Sequence, residues 1–278
     1  MHNDLQLSAD KSEVVIIGTA PQLRSAANIC EVEVAGSSLQ VAPKLKLLGV
    51  TIDSHLRFDC NAKEVARTCN YHTRVLRHVR TVLTDDLAQT VACSIVGSRL
   101  DYCNAILYGA PAATLDVLQR AQNNLARVVC QRGGRTDARP LLRKLHWLPV
   151  KHRLTYKMAA LTFKTMSSST PAYLNDLIHT AVPVRSLRSS DAPLLIVPKT
   201  RTEFAPRSFS VAAPHTWNSL PSDVRSCRIL WTPSNDTSRP IFSDSLNLTP
   251  PAPLYLRILW RYTNAVIIII ITISLLLL

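Results

Sequence analysis

The spacing of apolar residues changes near residue 58, and this change limits the fold more than any other feature. Before it, apolar residues come in short groups at Val14 to Ile17, Glu31 to Val34 and Lys46 to Ile52. Short groups of this kind, some alternating with polar residues, are typical of β-strands. Residues 1–54 therefore predict a small β segment.

After residue 58 apolar residues recur every three or four positions, which is the spacing of one helix face. The first predicted helix buries Ala62, Val65, Cys69, Leu76 and Val79. The second, with Asp85 as its cap, buries Leu87, Val91, Ile95, Tyr102 and Ile106 and ends at Gly109. The third starts near Pro111 and buries Leu115, Leu118, Leu125 and Val129. Further helices are expected over 137–146, 151–167 and 170–178.

Repeated prolines after residue 181 interrupt any long element. Phe204, Phe209, Trp217 and Leu220 are apolar anchors there, so we expect an irregular segment packed on the helices. The predicted fold class is α+β, mainly α: a short N-terminal β segment, a helical bundle and an irregular Pro-rich C-terminal segment. The expected domains are 1–54, 55–132 and 133–227, followed by a Ser/Thr/Pro-rich linker over 228–253 and an apolar tail over 254–278.

The charge of the chain is one-sided. Lys and Arg outnumber Asp and Glu by 32 to 19, which gives a net charge of +13. Such an excess favours a partner with a phosphate backbone, because cations that neutralise phosphates release condensed counterions. It does not suggest a small-molecule substrate. An Arg-rich reading frame without a selected function is the alternative explanation.

The seven cysteines show no C-x-x-C spacing, and the first residues lack the apolar core of a signal peptide. We interpret the cysteines as reduced thiols of a nuclear or cytoplasmic protein. A zinc site is disfavoured, because structural zinc ligands usually come in close pairs.

Several strings occur in one order along the chain. They are SRLDYCN at 98–104, LYG at 107–109, LHWLPV at 145–150, RSLRSS at 185–190, VPKTR at 197–201, FSVAAP at 209–214 and WNSLP at 217–221. Together they resemble the C-terminal half of jockey-like LINE (non-LTR) retrotransposon reverse transcriptases, over about residues 5–226. The resemblance implies an RNA-directed DNA polymerase as the parent protein.

The same resemblance gives each part of the chain an expected role. Residues 1–54 would be the edge of the polymerase palm, and Lys11, within LQLSADKSE, would lie near the incoming nucleotide. Leu47, Leu48, Gly49 and Val50 look like the primer grip, a hairpin that holds the end of the growing strand. Residues 55–132 would be the thumb, a helical bundle that lies along the template–primer duplex.

Nucleotide addition needs divalent cations held by carboxylates on adjacent strands. In reverse transcriptases an aromatic-x-Asp-Asp hairpin supplies some of them, and this sequence contains none. The pair Asp85-Asp86 stands at a predicted helix start, where acidic residues favour the helix dipole. We therefore expect no catalytic residue, no metal ligand and no cofactor in this chain, since Mg²⁺ would be bound by a missing palm, and we expect the fragment to be inactive.

Basic residues remain as candidates for binding. Arg67, Arg74 and His78 fall near one helical stripe, with Arg77 and Arg80 beside it. Residues 127–144 form a second basic stretch that begins with Arg127. We expect non-specific contact with an RNA or DNA duplex through the thumb. We interpret Asp101 as a surface carboxylate near Arg99, and Tyr102 as a core aromatic.

The apolar tail allows a different hypothesis. Residues 265–278 are almost entirely Ile and Leu, and a span that starts at 254 would be long enough to cross a bilayer but would include Arg257 and Arg261. The chain could therefore be a tail-anchored membrane protein. A translated simple repeat in an unselected relic reading frame is the other alternative, which the absence of a cooperative thermal melt would favour.

Overall fold

The computed structural model describes residues 12–34, 37–181, 194–200 and 205–226. The chain forms two compact units, Met1–Glu64 and Val65–Leu278. The described strands of the first unit are short, and the second unit is a bundle of helices. The fold is therefore α+β and mainly α, as the change in apolar spacing predicted.

The first unit contains antiparallel hairpins and one short helix. Helix α1 (Ala20–Ser25) precedes the hairpin of β1 (Glu31–Val34) and β2 (Ser37–Gln40). The next hairpin pairs β3 (Lys44–Leu47) with β4 (Val50–Asp53). The strand expected at Val14 to Ile17 is wrong, because Val14 makes only a single parallel bridge to Val41.

The single strand expected over Lys46 to Ile52 is also wrong, because the chain reverses in its middle. Leu48 and Gly49 both have positive φ, at 48° and 84°, and they link β3 to β4 in a two-residue turn. Positive φ at both central residues matches the twist of the flanking strands. Leucine seldom adopts this conformation, so the residue types did not indicate a turn there.

The helices of the second unit mostly follow the predicted periodicity, but the second one ends at Asp101 and not at Gly109, because Tyr102 is extended and Cys103 has positive φ. Helix α2 (Asp59–Val79) begins in the first unit, and a 3₁₀ turn (Arg80–Val82) follows it. Helix α3 (Asp85–Ala92) continues through a π-helical turn (Cys93–Gly97) into α4 (Ser98–Asp101) and a 3₁₀ turn (Asn104–Leu107). The remaining helices are α5 (Ala112–Val129), α6 (Ala138–Lys144), α7 (Val150–Ser168), α8 (Ala172–Asn175), α9 (Phe209–Asn218) and α10 (Ser222–Ser226).

Helix α7 lies at the centre of this unit. Its Met158 and Leu161 pack with Ala105 and Phe209, which belong to segments before and after it in the sequence. On another side, Phe163 stacks on Trp217 with the ring centroids 6.3 Å apart. The clusters around α7 therefore join residues from Ala105 to Val224.

The irregular segment expected after residue 181 is partly wrong. Residues Phe209 to Asn218 form helix α9, although Pro214 lies inside it. Burial of Phe209, Ala213 and Trp217 offsets the hydrogen bond that proline cannot make. Phe204, the 228–253 linker and the 254–278 tail lie outside the described residues. None of the helices in the described ranges combines the length and the apolar content needed to span a membrane.

The predicted buried face of the second helix is wrong by about one residue. Leu87, Ile95 and Tyr102 are exposed, whereas the small residues Ala88 and Ala92 are buried together with Val96 and Leu100. Small side chains allow close approach to a neighbouring helix, and α3 packs on α5. The cap is also different: Thr84 Oγ1 accepts from Leu87 N at 3.4 Å, and Asp85 is the first helical residue.

Candidate nucleic-acid interface

Helix α2 carries an exposed stripe of basic and aromatic side chains. We call Arg67, Tyr71, Arg74 and His78 the basic stripe; their spacings of four, three and four residues place them on one face. All four are exposed, and Tyr71 is 62% exposed. The opposite face of α2 is buried through Ala66, Cys69, Thr73 and Leu76, and this burial fixes the stripe on the outside.

The stripe is long enough to face several phosphates. Its ends are about 16 Å apart at 1.5 Å per helical residue, which is roughly the axial rise of five nucleotides at 3.4 Å each. Arg77 is exposed beside it. No Asp or Glu occurs in the sequence between Glu64 and Asp85, so no carboxylate of this stretch neutralises these cations.

Arg80 is not part of this surface, contrary to the sequence prediction. Its side chain is buried, Nε donates to the Val129 carbonyl at 2.8 Å, and Nη1 donates to the Leu83 carbonyl at 2.8 Å. The remaining nitrogen forms an ion pair with Asp85. Arg80 thus ties the end of α2 to α5 and to the start of α3, and it cannot contact a phosphate without breaking those bonds.

Arg127 is also used within the protein. Its Nε donates to the Thr136 carbonyl at 2.8 Å and Nη1 donates to Asn124 Oδ1 at 3.0 Å, which holds the loop after α5. It is half-buried, so it is a weaker candidate for phosphate contact than the basic stripe. Farther along the second basic stretch, Arg143 and Lys144 are exposed on α6.

The turn at Leu47 to Val50 belongs to a well-anchored hairpin. Val50 is buried, Leu48 is exposed at the tip, and Thr51 N donates to Asn61 Oδ1 at 3.2 Å. The Asp53 carboxylate accepts from three backbone amides, those of His55, Arg57 and Phe58, at 2.7 to 3.0 Å. These bonds hold the hairpin against the first turn of α2. Its role as a primer grip stays a prediction, and Lys11 lies outside the described residues.

Two of the quoted strings, SRLDYCN and LHWLPV, meet in a buried polar cluster. Arg153 Nη1 donates to both Asp101 carboxylate oxygens, at 2.8 and 2.9 Å, and both side chains are almost fully buried. Arg153 Nε and Gln122 Nε2 both donate to the Leu148 carbonyl at 2.8 Å. Asp101 is therefore a core residue and Tyr102 a surface one, the reverse of the sequence interpretation.

Lys157 is buried one helical turn from Arg153. Its side chain is 1% exposed, and Nζ has no hydrogen-bond partner among the described residues. Desolvation lowers the pKa of this amine, while the nearby charge of Asp101 opposes the shift. Folding therefore removes this amine from water without a replacement hydrogen bond among the described residues, which lowers the stability of the fold.

The buried thiols are unreactive. Desolvation raises the pKa of Cys69 to about 12 and those of Cys93 and Cys103 to about 11. Protonated thiols are poor nucleophiles and poor metal ligands. The six cysteines within the described ranges are free, and no group of three or more His, Cys, Asp or Glu side chains suited to a metal ion occurs in those ranges.

Comparison with known proteins gives one weak similarity. No protein-family model matches the chain, and no solved structure matches it. A hematopoietic SH2 domain-containing protein homolog from Danio rerio is 27% identical over 178 residues, which cover 57% of this chain and 47% of that protein. The chain thus spans about half the length of the curated relative it matches.

Proposed function

We propose that this chain is the back end of a LINE-type reverse transcriptase and that it binds a nucleic-acid duplex non-specifically through α2. The observation that carries the proposal is the basic stripe, in which an amphipathic helix holds Arg67, Arg74 and His78 outward on a stretch without acidic residues. This is the arrangement expected of a thumb helix, because phosphate contacts from Arg side chains position a duplex without reading its sequence.

The packing of the quoted strings supports the same assignment. SRLDYCN supplies Asp101, LHWLPV supplies the Leu148 carbonyl, and the residue that joins them, Arg153, follows LHWLPV closely. FSVAAP places Phe209 against Ala105, and WNSLP places Trp217 against Phe163. SRLDYCN, LHWLPV, FSVAAP and WNSLP thus each contribute residues to the packing around α7.

Two of the carboxylates that the structure describes are each paired with an arginine. Asp85 is in an ion pair with Arg80, and Asp101 is buried against Arg153. A metal ion would have to displace an arginine in either place. We therefore propose a binding role for this chain, with the polymerase metal ions held by the palm of the parent enzyme.

The test is duplex binding by the full chain as a function of salt. We compare Arg67→Gln/Arg74→Gln with Arg143→Gln/Lys144→Gln, which removes the same charge from exposed positions on α6. Fluorescence anisotropy with a short labelled RNA–DNA hybrid gives log Kd against log salt. Each phosphate contact contributes about 0.9 to this slope, so the α2 variant should lose about two units and bind up to roughly a hundredfold more weakly near 0.1 M salt.

The α6 variant should keep nearly the full slope. An equal loss in both variants would mean that net charge alone drives binding, and a larger loss in the α6 variant would move the interface to the second basic stretch. Either result would contradict the assignment to α2. Equal affinity for unrelated duplex sequences is also expected, because the contacts are to phosphates.

A further inference from the structure

An apolar groove runs between α2 and α3 and is open to solvent. We call it the α2–α3 groove. Val75 and Val79 form one wall and Val91 and Ile95 the other, with Leu76, Ala92 and Val96 as the floor, and the half-buried His72 also lines it. Val82 and Leu87 continue the apolar surface at one end; Val82 is 81% exposed and Leu87 is 54% exposed.

The exposed residues of this groove are not scattered. Val75 and Val79 are four residues apart on α2, and Leu87, Val91 and Ile95 follow at intervals of four on α3 and the π-helical turn. Two such rows side by side make a contiguous apolar surface, which soluble proteins seldom leave uncovered without a partner. All but Val75 are residues that the periodicity assigned to the core.

The shape of the groove selects the kind of partner. The volume of the groove is about 80 Å³, which is small beside an ordinary small-molecule pocket of roughly 300 to 1,000 Å³. It is concave, with its floor below both walls, so a flat bilayer would reach only the rims. A helix that lays one apolar ridge between two neighbouring helices fits this geometry.

The charge along the rims selects the chemistry of that helix. On α2, Tyr71 and His78 lie next to the valine wall and Arg74 is the next basic residue around the helix, whereas α3 carries the neutral Thr90 and Ser94. Asp86 is the acidic residue on α3 near this surface, and it lies at one end. A second copy of the chain would bring the same cationic rim, whereas an acidic helix would bring carboxylates to Arg74 and His78.

We propose that the α2–α3 groove binds an acidic amphipathic helix, with the apolar ridge of that helix between the valines of α2 and Ile95, and its carboxylates on the α2 rim. Such a helix has apolar residues every three or four positions and Glu or Asp beside them. The proposal shares Arg74 and His78 with the basic stripe, but its apolar walls lie outside that stripe, so the two proposals can be tested separately.

The probe is a labelled synthetic peptide of Leu and Glu, about four helical turns long, with Leu at every third or fourth position. The matched control peptide has Lys in place of Glu. Fluorescence anisotropy with the full chain should give micromolar binding of the Glu peptide, at least about tenfold tighter than that of the Lys peptide, or ~1.4 kcal/mol. Equal binding of both peptides, or binding of neither, would refute the proposal.

The variant Val79→Asp/Ile95→Asp should weaken binding of the Glu peptide at least about tenfold. Leu194→Asp/Ile196→Asp is its control, since it adds the same charge at two exposed apolar residues elsewhere. The control should bind as the unchanged protein does, and circular dichroism should show the same helix content in all three. Equal weakening in both variants would refute the groove as the site.

Two further measurements decide against other occupants. If sedimentation shows a dimer that Val79→Asp/Ile95→Asp dissociates, the groove belongs to a second copy and the proposal is wrong. If the unchanged chain binds phosphatidylserine vesicles and that variant does not, the partner is a lipid surface and the proposal is equally wrong. Arg67 lies on the basic stripe beyond Tyr71, away from the groove. The variant Arg67→Gln should therefore weaken duplex binding and leave peptide binding unchanged. The two hypotheses can thus fail separately.

Discussion

Asp101 and Arg153 form a buried ion pair between residues 52 positions apart in the sequence. Burying two charges costs desolvation energy that close pairing and further hydrogen bonds offset only in part. The pair here has both: two contacts between Nη1 and the carboxylate, and a bond from Nε to the Leu148 carbonyl. Its main effect is to hold SRLDYCN and the start of α7 in one register.

We predict that Asp101→Asn lowers the free energy of unfolding by about 3 to 5 kcal/mol, because it leaves the Arg153 guanidinium buried without a counter-charge. Urea unfolding followed by circular dichroism measures the change. The double variant Asp101→Leu/Arg153→Met should recover most of the loss, since both charges are then removed. If Asp101→Asn lowers the free energy of unfolding no more than the double variant does, the charge of Asp101 does not contribute to stability and the prediction is wrong.

We predict the opposite sign for Lys157→Met. In the unfolded chain this amine protonates near its usual pKa of 10.5, whereas burial lowers the pKa in the folded protein. Folding therefore opposes protonation at neutral pH, and this penalty disappears as the pH rises to 10.5. The Lys157→Met variant should gain on the order of 1 to 3 kcal/mol at pH about 7, and less as the pH rises, because methionine has no charge to desolvate.

The matched control is Lys151→Met, at an exposed position on the same helix, which should change stability little at any pH. Thermal melts of the reduced proteins over this pH range give the comparison. A destabilising Lys157→Met would show that the amine has a stabilising partner.

At the scale of elements, the apolar periodicity located most helices. It missed a turn and a buried arginine side chain, which local spacing does not reveal. The helices over 59–79, 112–129, 138–144 and 150–168 match the predicted spacing. The apolar pattern missed the β3–β4 turn because Leu48 adopts a conformation unusual for leucine, whereas the resemblance expected a hairpin at Leu47 to Val50. Arg80 was assigned to the surface because its acceptor, the Val129 carbonyl, is 49 residues away and invisible to local spacing. In contrast, Arg67, Arg74, Arg77 and His78 are exposed as helical spacing placed them.

We predict that Gly109→Ala destabilises the connection to α5. Gly109 has φ of +72°, and an added Cβ would lie 3.0 Å from Arg207 Cγ. The backbone strain should cost about 1 to 2 kcal/mol, although the arginine side chain can move. Gly134→Ala is the control, because nothing lies within 4 Å of its added Cβ, and it should be neutral or slightly stabilising. Equal melting temperatures for the two variants would contradict the prediction.

At the scale of the whole molecule, the proposed binding surfaces and the core are made by different residues. Of the strings that suggest a reverse transcriptase, SRLDYCN, LHWLPV, FSVAAP and WNSLP contribute buried residues, whereas VPKTR is exposed where it is described and RSLRSS lies outside the described residues. The basic stripe and the α2–α3 groove lie outside all of these strings, on α2 and α3. A resemblance carried by core residues predicts a fold more directly than an activity, because activity depends on specific site residues. The proposed loss of polymerase activity therefore has to be tested by a direct assay of primer extension.

We predict that the purified chain extends no primer with Mg²⁺ and all four deoxynucleotides, because phosphoryl transfer needs carboxylate-bound metal ions and the sequence has no aromatic-x-Asp-Asp motif. Gel analysis of a labelled primer on an RNA template measures extension. The same preparation should still shift the duplex at low salt, which shows that the protein is folded. Robust Mg²⁺-dependent extension would refute the proposal.

The π-helical turn at Cys93–Gly97 acts as a one-residue insertion in an otherwise continuous helical segment. Removing one residue there would rotate everything after it by about 100° around the helix axis. Asp101 would then turn away from Arg153. Among homologous chains, loss of this extra residue should therefore coincide with loss of both charges, so that an insertion in one helix and an arginine in another are inherited as a linked pair.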